Sequence, residues 1–165
     1  FTVKGIQGQL WSETVRSSTQ AEYMIYPRLL ALAERAWHQA DWQVPYNYSG
    51  QKYNKDSGMF TEQLKQQRDQ QWLKFSQVLA EKELEKLDLA GVFYRLPTVG
   101  AKVIAGKLNA NSALKGLPIE YRQQGKKGQP WQLYQSPVQV TLPVEVRTRT
   151  TDNKRAGRTL LLNDN

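Results

Sequence analysis

The chain has 165 residues, of which 39% are hydrophobic and 23% charged, and its net charge is +8. This is the composition of a folded protein, and the length allows one ordinary domain or two small ones. With no cysteine and one histidine, His38, the chain excludes disulfides, thiolate metal sites and a multi-histidine metal centre. No apolar run reaches the roughly 20 residues that span a bilayer. We therefore expect no metal, no other cofactor and no membrane span.

The positive charge belongs to the second half of the chain. Residues 1–91 contain 11 basic and 11 acidic side chains, whereas residues 92–165 contain 12 basic and only 4 acidic ones. A helical pattern also ends at Gly91, and glycine commonly terminates helices. Charge and periodicity together predict two units, residues 1–91 and residues 92–165.

The first unit opens with a pattern typical of a short strand over residues 1–10. Because the chain begins inside this strand, we expect it to be cut from a longer protein. Thr19 and Glu22 fit a capping box for one helical turn at 20–25, and Pro27 suits the first position of the main helix.

Residues 38–57 lack a period and predict a long loop, with Asp56 or Ser57 as the cap of the next helix. Trp42 and three tyrosines of this loop either line a cleft or pack the loop, and we favour packing; the tyrosines are Tyr46, Tyr48 and Tyr53. Trp37 and one helical stripe are expected in the core. The stripe comprises Phe60, Leu64, Trp72, Phe75 and Leu79, and a final turn follows at 83–87.

The second unit has short β-type runs separated by Gly, Pro and Asn about every eight to twelve residues, the pattern of an all-β immunoglobulin-like sandwich. The predicted strands are 92–94, 103–105, 107–109, 119–122, 131–134, 138–141, 144–150 and 158–162, with turns at 125–128 and 152–154. Val144 and Val146 alternate with Glu145 and Arg147, which predicts one buried face and one face in water. Three further residues are expected to face inward: Ile119, Tyr121 and Trp131.

Several motifs occur in a fixed order. The first are Gly-Gln-Leu-Trp-Ser-Glu at 8–13, Tyr-Pro-Arg at 26–28 and Ala-Glu-Arg-Ala-Trp at 33–37. They resemble the end of the catalytic (β/α)8 TIM barrel in family 20 glycoside hydrolases, whose last strand carries Trp-x-Glu and whose last helix carries Pro-Arg and Ala-Glu-Arg. The later motifs look like the bacterial chitobiase branch of that family; they are Tyr-Arg-Leu-Pro at 94–97, Ile-Glu-Tyr at 119–121 and Val-Arg-Thr-Arg at 146–149.

The resemblance covers nearly the whole chain and implies a multidomain architecture. Residues 1–91 would hold the last strand and C-terminal helices of an incomplete TIM barrel, and residues 92–165 the immunoglobulin-like sandwich. The implied activity is that of a β-N-acetylhexosaminidase, which removes terminal N-acetylglucosamine from chitobiose and chitin oligosaccharides. A periplasmic, cell-surface or secreted location is implied by the family alone.

Two residues match the family's substrate-binding motif at the carboxyl end of a barrel strand. By resemblance, Trp11 would pack against the N-acetylglucosamine ring and Glu13 would accept hydrogen bonds from its outer hydroxyls. The chemistry suits these residue types, because sugar C–H groups pack on an aromatic face and a carboxylate forms strong charge-assisted hydrogen bonds. They are the site residues that we predict.

The catalytic acid is not among these residues. Family 20 enzymes use the substrate's acetamido oxygen as nucleophile, and the Glu of an adjacent Asp-Glu pair is the general acid. The 165 residues contain no Asp-Glu dipeptide. We therefore expect the general acid to lie upstream of Phe1 and the isolated chain to be inactive.

Two other classes of function remain open. A carbohydrate-binding or spacer module would need exposed coplanar aromatics, for which Trp131 and Tyr134 are the candidates. A basic interaction domain would bind nucleic acid or an anionic polymer through the Lys and Arg side chains of residues 92–165, with strong salt dependence. Because these charges are spread over several strands and loops, we favour protection of sheet edges and expect no nucleic-acid partner.

Overall fold

The computed structural model describes residues 4–44, 50, 54, 57–123 and 129–164. The helices are α1 (Ser18–Ile25), α2 (Arg28–Trp37), α3 (Glu62–Val78) and α4 (Leu84–Leu89), with a π-helical turn at Leu79–Glu83 between the last two. The strands are β1 (Gly100–Ile104), β2 (Lys107–Asn111), β3 (Ile119–Gln123), β4 (Gln132–Tyr134), β5 (Val138–Gln139), β6 (Val144–Thr148) and β7 (Leu160–Leu162). Within these described ranges, no helix is long and apolar enough to cross a membrane.

The predicted N-terminal strand is wrong for the residues that the structure describes. Residues 4–10 have no regular secondary structure, and residues 1–3 lie outside the described residues. A strand needs a partner for its backbone groups, and none of the strands assigned in the described ranges pairs with this segment. The segment instead passes close to α2 at Gly8, where a Cβ atom would stand 2.6 Å from Leu32 Cδ2.

Helix α1 is capped two residues before the predicted capping box. The Ser17 hydroxyl accepts a hydrogen bond from the Gln20 N–H at 3.2 Å, and Ser17 is therefore the N-cap. The predicted pair Thr19 and Glu22 lies inside the helix. The proline boundary is close to prediction, since Pro27 is the N-cap of α2 rather than its first residue.

The third helix begins later than the sequence predicts. Thr61 is its N-cap and accepts from the Leu64 N–H at 3.3 Å, so the predicted cap Ser57 is wrong and Phe60 precedes the helix. Gly58, with φ +68, separates Ser57 from the helix because that backbone conformation is left-handed. The loop residues Tyr46, Tyr48, Tyr53 and Asp56 lie outside the described residues.

The helix end at Gly91 is confirmed. Helix α3 continues through the π-helical turn into α4, so the predicted separate turn at 83–87 is part of one long helical segment. Gly91 has φ +70, and its N–H bonds the Asp88 carbonyl at 3.0 Å. The Val92 N–H bonds the Leu87 carbonyl at 2.9 Å, which completes a Schellman-type stop.

The second half forms a small sandwich of antiparallel sheets, as predicted. The sheets have the strand orders β1-β2-β5 and β4-β3-β6-β7. Their facing sides bury Val99, Leu108, Val144 and Val146, with Ile119 and Tyr121 packed against that cluster. Seven of the eight predicted strands form with shifted ends in the described part of the chain, whereas residues 92–94 form none. The predicted turn at 125–128 lies outside the described residues.

Trp131 does not face inward as predicted. Tyr134 packs on the sandwich core, so the odd spacing between the two positions places Trp131 on the other side of β4. There its ring lies over the guanidinium groups of Arg147, at 3.8 Å, and Arg122, at 4.5 Å. The neighbouring face of β6 is half-buried rather than in water, since Glu145 is 17% and Arg147 20% exposed at the side chain.

A second hydrophobic cluster joins the helices to the segments around the sandwich. It contains Leu79, Ala80, Leu84, Tyr94, Leu96, Leu114 and Leu117. Gly116 allows the close approach, because a Cβ atom there would lie 2.8 Å from Ala80 Cβ and 3.0 Å from Gln77 Cα. The cluster therefore takes side chains from both sides of the boundary at 91/92, which itself stays a prediction.

Candidate functional site

The two predicted site residues lie just before α1. Trp11 is 85% exposed, which excludes a core role for it in this structure, and Glu13 is also exposed. A turn that contains Glu13 begins directly after Trp11, and in it the Val15 N–H bonds the Ser12 carbonyl at 3.0 Å. Both side chains are thus accessible to a ligand, and their role in substrate binding stays a prediction.

A cleft of about 520 Å³ lies immediately after Glu13. Its walls include Thr14 and Val15 from the turn, Tyr23 and Met24 from α1, and Phe93 from the segment that follows α4. The turn and α1 are continuous in sequence, but Phe93 comes from a point about half the chain away. The segment leading into the sandwich therefore forms one wall beside the predicted substrate-binding turn.

Helix α1 is attached to that same segment by three kinds of contact. The ring of Phe93 stacks on Tyr23 with centroids 5.7 Å apart and planes inclined by 25°. The Glu22 carboxylate accepts the Phe93 N–H at 2.8 Å. The Arg95 N–H donates to the Tyr26 carbonyl at 3.0 Å. Segment 92–95 was predicted as a strand at 92–94, but its backbone is bound by a helix side chain and a helix-end carbonyl instead.

A half-buried cluster around Arg155 fixes the other side of this segment. The Arg155 guanidinium donates from Nη1 to Asp88 Oδ1 at 3.0 Å and from Nη2 to the Tyr94 carbonyl at 2.9 Å. It also lies over the ring of Tyr94 at 4.0 Å and over that of Phe93 at 5.2 Å. The Tyr94 hydroxyl donates to Asp88 Oδ2 at 2.7 Å. Arg155 lies in the loop before β7, and its guanidinium thus links that loop to α4 and to the connecting segment.

Burial raises the pKa of the Tyr94 phenol, and the Asp88 carboxylate raises that pKa further. The neutral phenol is therefore the favoured form, and its hydroxyl can donate a hydrogen bond to Asp88 over the ordinary pH range. The sequence analysis missed this cluster. Asp88 and Arg155 are far apart in sequence, and no local periodicity indicates that they meet.

The aromatic side chains of the helices are less buried than predicted. Trp37 is 92% exposed, so its predicted core position is wrong in this structure. Trp72 is 42% exposed and donates from Nε1 to the Ala113 carbonyl at 3.1 Å. Trp42 packs near Phe60, with ring centroids 6.3 Å apart, and it also lines a cleft of about 470 Å³, so it shows features of both predicted alternatives.

The outer face of the four-stranded sheet bears on the two alternative functions, a basic interaction domain and a carbohydrate-binding module. Glu120 pairs with Arg147 at 3.0 Å and with Arg149 at 2.9 Å, while Arg122 pairs with Glu145. The two carboxylates offset most of the charge of these three arginines, which weakens a phosphate-binding interpretation. Tyr134 faces the core, and its hydroxyl accepts the Ala110 N–H at 3.0 Å. Trp131 and Tyr134 therefore do not form the coplanar pair that a carbohydrate-binding module would need.

No group of three potential metal ligands occurs among the residues that the structure describes. The candidate site consists of the predicted residues Trp11 and Glu13, and the structure adds the cleft and the Phe93 wall beside them.

Comparison with known proteins identifies two parts of the chain. Residues 83–159 match the chitobiase/β-hexosaminidase C-terminal domain, and residues 2–40 match the catalytic domain of glycosyl hydrolase family 20. The chain is 40% identical over 93% of its length to N,N'-diacetylchitobiase of Vibrio harveyi, and it covers 17% of that protein. It is also 40% identical over 93% of its length to a β-hexosaminidase of Vibrio vulnificus, of which it covers 18%.

A third relative is similar chiefly to one part of the chain. β-Hexosaminidase B of Pseudoalteromonas piscicida is 57% identical over 75 residues, which is 46% of this chain and 10% of that protein. The chain therefore spans less than a fifth of the length of these curated relatives. The motifs, the antiparallel sandwich and the matches agree: the chain carries the C-terminal domain of chitobiases and β-hexosaminidases, preceded by a segment similar to the catalytic domain of glycosyl hydrolase family 20.

Proposed function

We propose that this chain is the C-terminal part of a β-N-acetylhexosaminidase that hydrolyses terminal N-acetylglucosamine from chitobiose and chitin oligosaccharides. Residues 1–91 would contribute the last strand and helices of its TIM barrel, and residues 92–165 an immunoglobulin-like domain. The enzyme would act in the periplasm, at the cell surface or outside the cell. The catalytic acid would come from the preceding part of the protein.

In this enzyme Trp11 and Glu13 contact the sugar at the non-reducing end. The observation that carries this role is the exposure of an indole and a carboxylate two residues apart, inside the segment that matches the family 20 catalytic domain. The indole offers an apolar face to the sugar ring, and the carboxylate accepts hydrogen bonds from its hydroxyls. The substrate itself supplies the nucleophile, so these two residues bind and orient it.

The test is hydrolysis of chitobiose by the full-length enzyme carrying Glu13→Gln or Trp11→Ala. Glu13→Gln keeps the size of the side chain and removes its charge. The loss should be about 1.5–3 kcal/mol of transition-state stabilisation. This corresponds to a fall of roughly ten- to a hundredfold in kcat/KM. Trp11→Ala should cost at least as much through lost apolar contact.

Glu81→Gln is the matched control, since Glu81 is an exposed carboxylate in the π-helical turn. It should leave kcat/KM within about twofold of the parent, a difference well under 1 kcal/mol. If Glu13→Gln and Trp11→Ala also fold like the parent and stay within about twofold, the two residues are structural and the proposed site is wrong.

A further inference from the structure

The segment that joins the helices to the sandwich contacts α1 on one side and the Arg155 cluster on the other. Phe93 is its central residue. Its N–H is held by Glu22, its ring stacks on Tyr23, and its other neighbour is the Arg155 guanidinium. The ring is 45% exposed, so burial alone does not account for these contacts. Phe93 also lines the cleft beside Thr14 and Val15, directly after Glu13.

We infer that Phe93 is a positioning residue through which the C-terminal domain holds the Trp11–Glu13 turn in its substrate-binding geometry. This rests on the proposed function of Trp11 and Glu13. Phe93 itself need not touch the sugar. It acts by fixing α1, whose N-terminal cap is only four residues after Glu13.

The contacts form a continuous path from the sandwich to the turn. Arg155 is held by Asp88 and by the Tyr94 carbonyl, and it supports the Phe93 ring from behind. Phe93 in turn fixes Glu22 and Tyr23 on the same side of α1.

The last step runs from α1 into the turn. The Gln20 side chain accepts the Arg16 N–H at 2.7 Å, and the Ser17 hydroxyl accepts the Gln20 N–H. Both bonds hold the chain immediately after Glu13 against the first turn of the helix. A displacement of α1 would therefore move Glu13 and Trp11 relative to the rest of an active site.

Positioning has a kinetic signature that differs from general destabilisation. A misplaced binding residue weakens contacts that Glu13 already makes in the bound substrate, so KM should rise more than kcat falls. The loss should also depend on Glu13, because residues that act through the same contact show non-additive effects. A merely structural residue would give an effect that is independent of Glu13.

The experiment is a double-mutant cycle in the full-length enzyme with chitobiose as substrate. Phe93→Ala should raise KM about tenfold with kcat within about twofold, and Arg155→Met, which removes the support of Phe93, should do the same. In a Glu13→Gln background each effect should shrink to within about twofold. Phe93→Tyr keeps the stacked ring and should behave like the parent. Arg147→Met removes an ion-paired arginine on the outer sheet face, away from this path, and should also leave KM unchanged.

Two results would overturn the inference. One is full additivity of Phe93→Ala with Glu13→Gln; the other is an unchanged KM in Phe93→Ala and Arg155→Met while Glu13→Gln alone lowers kcat/KM. If Phe93→Ala or Arg155→Met does not fold, Glu22→Gln gives the same test, since it keeps the size of the side chain and weakens the bond to the Phe93 N–H. An enzyme in which Glu13→Gln has no effect contradicts the proposed function instead, whatever Phe93 does.

Discussion

The sandwich and the N-terminal region differ in how far they bury their apolar side chains. Between the two sheets Leu108, Val144 and Val146 are each 0% exposed. In the N-terminal region Trp11 is 85% and Trp37 92% exposed, and neither α1 nor α2 contains a fully buried residue. The sandwich therefore closes a core with its own side chains. Trp11 and Trp37 of the other region instead belong to neither hydrophobic cluster of the described residues.

The largest expected effect on stability comes from the sandwich core. Leu108→Ala should lower the free energy of unfolding by about 2–5 kcal/mol, because it leaves a cavity between the sheets. Leu133 is the matched control, as it is also a strand leucine but is 57% exposed. Leu133→Ala should change the free energy of unfolding by no more than about 0.5 kcal/mol. Denaturant unfolding measures both, and equal losses would contradict the assigned register.

A smaller effect is expected where the two regions meet. Tyr94→Phe removes the hydrogen bond to Asp88 and should cost about 1.5–3 kcal/mol, since the acceptor is charged. The raised pKa of Tyr94 gives this loss a pH dependence. A phenol that titrates higher in the folded protein contributes its full stability below its ordinary pKa of 10.0, and that contribution falls as the pH rises above this value.

The measurement is the difference in unfolding free energy between the parent and Tyr94→Phe across pH. The difference should be constant from neutral pH to the ordinary pKa of the phenol and should shrink at more alkaline pH. A difference that grows with alkaline pH would mean that the folded protein favours the phenolate, contrary to the burial of Tyr94 beside Asp88.

The smallest expected effect is at the exposed tryptophan of α2. Trp37→Ser in this chain should change the free energy of unfolding by no more than about 0.5 kcal/mol. The reason is that the indole is 92% exposed, so its removal takes away little buried surface. Thermal unfolding of the chain compares it with the parent. A loss as large as that of Leu108→Ala would show that Trp37 is packed in solution and would erase the contrast between the two regions.

Features that depend on interactions between residues close in sequence could be predicted from the sequence. The alternation of Val144 and Val146 with Glu145 depends on the two-residue period of a strand, and the stop at Gly91 depends on a local backbone conformation. The buried face of β6 and the stop at Gly91 were predicted correctly, whereas the opposite face of β6 is half-buried and not in water as predicted. The prediction that Trp131 faces inward was wrong. Tyr134 is the residue of this short strand that faces the core, and Trp131 precedes the first residue of β4. Three residues offer too few alternating positions to show from the sequence which of the two side chains is buried.

Features that depend on distant residues were not predictable in the same way. Residues 92–94 have β-type composition, yet no strand among the described residues pairs with them. The Phe93 N–H bonds the Glu22 carboxylate instead, and the Arg95 N–H bonds the Tyr26 carbonyl. The meeting of Asp88, Tyr94 and Arg155 leaves no periodic trace in the sequence. For the site, the Trp-x-Glu motif located Trp11 and Glu13, whereas nothing local indicated that Phe93 lies beside them.

The segment after Gly91 contains side chains that common proteases recognise, namely two aromatic residues and an arginine before Pro97. Its backbone is nevertheless occupied at successive positions: the Phe93 and Arg95 N–H groups donate to α1 and its end, and the Tyr94 and Pro97 carbonyls accept from Arg155 and Thr148. A protease must draw several consecutive residues into an extended groove, and these bonds would have to open together to allow it. We therefore expect these backbone bonds to protect the peptide bonds between the helices and the sandwich from cleavage.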